Sequence, residues 1–230
     1  MSQVLRLKLM VDGCEVEAAV AVPEQPGLRR VILPILQRLA DTVVRVAERA
    51  GEWKVSCQKG CDACCRQMVP ISPTEAYALG AVVEGMAAER AAEILGRFDR
   101  VRERLAELGL LGRLHDRHAL TLEQQRELDR DYFSANVACP FLEDRACGIY
   151  VDRPLACREF LVVSPAEHCR EPTADKVEQL ALGAKVSRAL SERDGEWLPL
   201  VLARDFVSTR SERVLSESPA EVLRQILGAL

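Results

Sequence analysis

The chain has 230 residues, 48% of them apolar and 29% charged, with a formal net charge of −4. That composition excludes a disordered chain, and no apolar run approaches the ~18 residues of a membrane-spanning helix. The slightly acidic balance offers no basic field to gather phosphate backbones, so nucleic acid is not expected as a partner.

Aromatic residues make up only 4% of the chain. The core must therefore be Leu, Val, Ala and Ile, which favours helices packed on helices. Val4 to Val11 alternates apolar with polar residues, Asp12-Gly13 supplies a tight turn, and Cys14 to Val22 alternates again. This predicts a β-hairpin with Leu9 facing Val16, Leu7 facing Ala18 and Lys8 opposite Glu17. Cys14 falls on its apolar face, remote from the other cysteines, and reads as a small core residue. From Leu28, apolar positions recur at helical spacing through Ala50, with Pro34 marking a start or bend.

Ser72-Pro73-Thr74-Glu75 is a capping box with Pro at the first helical position, and it predicts a helix to about Glu84. A second amphipathic pattern runs from Ala87 to Leu108, and Thr121 with Gln124 predicts the cap of another helix. Nine arginines and nine carboxylates lie between Arg90 and Asp131, the look of a solvated helical face. Ser164-Pro165-Ala166-Glu167 and Ser218-Pro219-Ala220-Glu221 repeat the helix-start signal, and Asp175 to Arg193 is amphipathic. Trp197 to Ala203 fits either a strand or a buried helix. His115 and His118 read as part of a polar turn.

Nine cysteines set the chain apart. Its start, MSQVLRLKLMVDG, alternates and lacks the continuous apolar stretch of a secretory signal, so a cytoplasmic setting is expected. In a reducing compartment, clustered thiols bind metal or do redox chemistry more often than they form disulfides. Cys57, Cys61, Cys64 and Cys65 form C-x3-C-x2-C-C, followed by Cys139, Cys147, Cys157 and Cys169. On a helix the first four would share an arc of roughly 100° and could be a buried stripe. Gly60 inside the run and the charged Lys59, Asp62 and Arg66 around it fit a loop wrapped about an ion better.

Thiolates are soft, charged donors, and four of them meet zinc or iron tetrahedrally. Adjacent Cys64 and Cys65 do not easily share one ion. Two neighbouring sites, a bridged pair of ions, and one ligand with a supporting thiol all remain open. Arg66, Arg153 and Arg158 beside the cysteines are candidate donors to the anionic centre. Bringing Cys65 to Cys139 closes a loop of about 74 residues at about 4 kcal/mol plus a constant, against roughly 10–16 kcal/mol from a structural zinc.

VSCQKGCDACC, CPFL, CGIY and RPLACR, in that order, resemble the YkgJ-type cysteine-cluster proteins, a family of zinc- or iron-chelating domains. The resemblance spans about Val55 to Cys169. It implies that Cys57, Cys61, Cys64, Cys65, Cys139, Cys147 and Cys157 are chelating positions, with Cys169 at the margin of the set. A similar module occurs in flagellin lysine methylases, so the resemblance also admits a protein-modifying enzyme and a protein partner or substrate.

The spacing of Cys57, Cys61 and Cys64 also matches radical enzymes that use S-adenosylmethionine, but no alternation of strands and helices accompanies it. Cys61 and Cys64 make a C-x-x-C unit without a preceding strand. The expectation is a mainly α, single helical domain with cysteine-rich metal-binding loops. It comprises a hairpin at 1–23, a helix at 24–51, a cysteine module at 55–169 with helices inserted at 72–133, and C-terminal helices at 173–230. Its expected role is structural or accessory, around zinc or an iron-sulfur cluster, in a cytoplasmic protein that engages neither membrane nor nucleic acid.

Overall fold

The computed structural model describes residues 2–11, 14–58, 60–171 and 175–228, without the side chains of residues 7, 9–11, 14–16 and 18. Strands β1 (Ser2–Val11) and β2 (Cys14–Pro23) pair antiparallel in the register that alternation predicts, with Leu9 opposite Val16 and Lys8 opposite Glu17. Lys8 and Glu17 form an ion pair. The Asp12-Gly13 turn and the side chain of Cys14 lie outside the described residues. Leu5 and Val22 are buried, so the hairpin covers the core with one face.

Helix α1 (Leu33–Ala50) carries Pro34 in its first turn, where the missing N–H costs nothing. The expected helical stretch at 24–51 therefore begins later than its apolar pattern, and Arg29–Ile32 forms a 3-10 turn instead. Next come β3 (Pro70–Ile71), α2 (Pro73–Glu84), α3 (Ala88–Glu107), α4 (Leu110–His115) and α5 (Leu122–Ser134). Both predicted capping boxes form. Glu75 N donates to Ser72 Oγ at 3.2 Å, and Gln124 N donates to Thr121 Oγ1 at 3.3 Å. Gly109, at φ 70°, makes the left-handed turn between α3 and α4.

The remaining elements are β4 (Leu142–Glu143), β5 (Ala146–Cys147), α6 (Leu155–Glu159), α7 (Val186–Asp194), β6 (Leu198–Pro199), α8 (Ala203–Thr209) and α9 (Pro219–Gly228). Two expectations fail here. Ser164 does not cap a helix: its Oγ accepts from Glu178 N at 3.0 Å, and Ala166–Arg170 is only a 3-10 turn. The amphipathic stretch from Asp175 becomes helical only at Val186, since Leu180 N bonds instead to Leu161 O at 2.8 Å. The ambiguous segment after Trp197 is both things in turn. β6 pairs with β3, and a 3-10 turn at Leu200–Leu202 leads into α8.

Two apolar cores dominate. One joins the hairpin, α1, α6, α7 and α9 through Leu36, Val43, Leu155, Leu190 and Leu223. The other joins α2 to α5 and the 198–203 stretch through Ile94, Leu105, Leu128, Phe141 and Leu198. Each such side chain, fully buried, contributes about 1.5–3 kcal/mol. Leu155 anchors in the first core and Phe141 in the second, each two residues from a cysteine. The cysteine-bearing loops are thus held at both sides by packed anchors.

Candidate metal centre

The first four cysteines lie on a loop whose only regular feature among the described residues is a 3-10 turn at Ala63–Arg66. Gly60 sits at φ 90°, a conformation open to glycine. Single turns follow one another, with Cys61 N donating to Gln58 O, Cys65 N to Asp62 O and Gln67 N to Cys64 O, each at 3.0 Å. The C-x3-C-x2-C-C run is therefore a coil, and the reading of it as a helical stripe is set aside.

Segments distant in sequence close on this coil. Cys139 N donates to Cys65 O at 2.8 Å, joining the two halves of the cysteine module by backbone. Ser56 N donates to Val162 O at 2.9 Å, and Val162 N approaches Cys57 Sγ at 3.4 Å. The turn at 63–66 packs on the turn at 166–170 that carries Cys169. β5 presents Cys147, where Gly148 N donates to Phe141 O at 2.8 Å, and α6 presents Cys157. All eight of these cysteines are free thiols. Cys169 is buried and the others are partly buried.

Residues 56–180, more than half of the chain, match the CxxCxxCC family, described as "Putative zinc- or iron-chelating domain". The chain belongs to this family. The family's name spells two residues between its first cysteines, where this chain has three. Comparison with curated proteins and with solved structures gave no match. Among the described residues, no helix is long and apolar enough to cross a membrane.

Within this chelating domain, Cys64 stands at the hub. Cys57, Cys65, Cys139, Cys147, Cys157 and Cys169 all lie within range of its charge. The Cys65 thiol donates to Cys64, which lowers the Cys64 pKa and raises that of Cys65. Burial pushes Cys139 up to about 12 and Cys169 up to about 11, and neighbouring thiols add to both shifts. Cys57, Cys61 and Cys169 share one small apolar cluster, while Cys139 and Cys147 pack against the second large core.

The three arginines differ. Arg153 lies within charge range of Cys57, Cys64, Cys147 and Cys157, stacks 4.3 Å over the Tyr150 ring, and has a buried Nε without a hydrogen-bond partner. Arg66 has a buried Nη1 that makes no hydrogen bond but pairs with the Asp62 carboxylate at 3.7 Å. Arg158 turns away from the sulfurs. Its Nη1 grips both Asp41 oxygens at 3.0 and 2.8 Å, its Nε donates to Arg153 O at 3.1 Å, and its Nη2 donates to Val151 O.

Asp62 is a residue that the cysteine pattern did not single out. It is buried, with Arg170 Nη2 at 2.5 Å and Arg145 Nε at 3.9 Å from its Oδ1. Burial alone would raise its pKa, but the Arg170 hydrogen bond, with the charges of Arg170 and Arg145, holds the carboxyl below its usual range. Its position between Cys61 and Cys64 was the available signal. His168 bonds to Lys176 O at 2.7 Å, and His115 and His118 line a cleft that contains no cysteine.

Soft donors, the Arg153 nitrogen without a hydrogen-bond partner and mutual proximity suit zinc or an iron-sulfur cluster. Among the described residues, however, no three His, Cys, Asp or Glu side chains already converge on one point. Capture of an ion has to draw the sulfurs inward from these positions.

Proposed function

We propose that this chain is a cytoplasmic metal-chelating protein in which Cys57, Cys61, Cys64, Cys65, Cys139, Cys147, Cys157 and Cys169 supply thiolates to zinc or an iron-sulfur centre. The role is structural or accessory. The reading rests on one observation above the others: the Cys139 to Cys65 backbone bond joins the segment that begins the late cysteines to the early run. A bound ion would supply Lewis acidity, or in the iron-sulfur case one-electron redox capacity. The chain's own part is to hold reduced thiols in two flanking groups, with Arg153 offsetting the negative charge that thiolates accumulate.

Anaerobic purification with metal and acid-labile sulfide analysis tests this. Stoichiometric metal is expected in the parent protein, and Cys64→Ser and Cys139→Ser are both expected to lose it while retaining helical circular dichroism. Sulfide together with colour identifies an iron-sulfur centre, and colourless protein holding zinc identifies a thiolate zinc site. Parent protein without metal, or a Cys139→Ser variant with full metal content, overturns the proposal.

A further inference from the structure

A cleft of about 710 Å³ opens between the 114–118 stretch and residues 196–210. Its volume lies in the range of small-molecule sites. Its wall is built from both signs of charge, yet the carboxylates there are already engaged. Asp205 takes Arg102 Nε at 3.1 Å, Glu196 takes Arg210 Nη1 at 2.7 Å, and Asp99 takes Arg204.

Arg117 is different. It is 5% exposed, its guanidinium lies 3.6 Å from the centroid of the Trp197 ring, and its Nε has no hydrogen-bond partner among the described residues. Nη1 points at the Met68 sulfur at 3.2 Å, and Asp129, half exposed, stands 4.0 Å away. A buried guanidinium pays a large desolvation cost that a thioether and a half-exposed carboxylate do not offset. His118 packs edge-on to Trp197 with ring centroids 6.4 Å apart and lines the same cleft.

We infer that the cleft binds a small organic anion, whose carboxylate or phosphate group is received by the Arg117 guanidinium in the cleft wall beside His118. A planar guanidinium stacked on an indole is held in the fixed orientation that two-oxygen anions require. This site is separate from the cysteine cluster, and its failure would leave the chelation proposal standing.

Trp53 and Trp197 are the chain's two tryptophans. In a Trp53→Phe background the remaining indole therefore reports on the cleft. That protein is titrated with inorganic phosphate and, separately, with malonate, against sodium chloride of equal ionic strength. The expected result is a saturable fluorescence change for one or both anions, with Kd of about 1 mM or tighter.

Whichever anion binds tighter shows which head group the cleft prefers. Arg117→Met is expected to weaken binding at least about tenfold, Arg117→Lys less, and His118→Ala severalfold. Folding of each variant is checked by circular dichroism. If Arg117→Met does not fold, the Arg117→Lys and His118→Ala titrations decide. A response no different from chloride, or folded variants that bind as tightly as the parent, overturns the inference.

Discussion

Glu75 Oε1 accepts from Leu155 N at 2.8 Å while its Oε2 accepts from Ser72 N at 2.8 Å. One buried carboxylate thus caps the start of its own helix, α2, and the start of α6, the helix that carries Cys157. Two buried donors at helix N-termini, which have no partner within their own helices, are satisfied by a single side chain.

That position makes Glu75 pH-sensitive. Burial pushes its pKa up to about 7 from an ordinary 4.5, against the opposing hydrogen bonds. A carboxyl with a raised folded pKa contributes stability that is fully present below about 4.5 and lost as pH rises through about 7. The loss should reach about 3 kcal/mol. Urea unfolding of parent and Glu75→Gln across this window should show the parent falling relative to the variant. Parallel curves would rule out this account.

Arg158 and Arg153, neighbours in the motif, should behave oppositely when replaced. Arg158→Ala removes the two-pronged grip on Asp41 that ties α6 to α1, and about 2 kcal/mol of unfolding free energy should go with it. Metal content should not change. Arg153→Ala should alter stability little but let a chelator strip the metal about tenfold faster. Equal metal loss from both variants would contradict the assignment.

Asp62 holds together three arginines, Arg66, Arg145 and Arg170, on the surface of the cysteine coil. Asp62→Asn leaves those cations facing one another. Because Arg145 and Arg170 are themselves well exposed, the cost is set at about 1–2 kcal/mol, and it should shrink in high salt as the repulsion is screened. Chemical denaturation at low and high ionic strength measures both.

Metal removal should act locally before it acts globally. The coil at 56–67 and the turn at 161–170 have few regular backbone bonds, whereas α3 and α5 are packed into the second core. After chelation, amide hydrogen exchange should accelerate at least about a hundredfold in the cysteine loops, with little change in α3. Uniform protection in both states would argue that no ion holds the loops.

Local chemistry carried much of this molecule. The register that pairs Lys8 with Glu17, the caps at Ser72 and Thr121 and the proline start of α1 are each set by residues within a few positions of one another. Sequence alone therefore determined them. The C-x3-C-x2-C-C run and its later partners also announced thiol chemistry, since few other demands put four thiols in nine residues.

What the tertiary structure decided involves partners dozens of residues apart. Ser164 has the same local pattern as Ser72, yet its hydroxyl goes to Glu178 N because a neighbouring strand-like segment competes for it. The stretch from Asp175 is amphipathic, but its backbone pairs with residues 161–163, and helix waits until Val186. Arg158 and Arg153 look alike in the motif and part company only when α1 brings Asp41 alongside one of them. The junction of Cys65 with Cys139, the second duty of Glu75 at Leu155, and the burial of Arg117 against Trp197 share the same cause. They form where separate helices pack, and no local pattern encodes which helices those are.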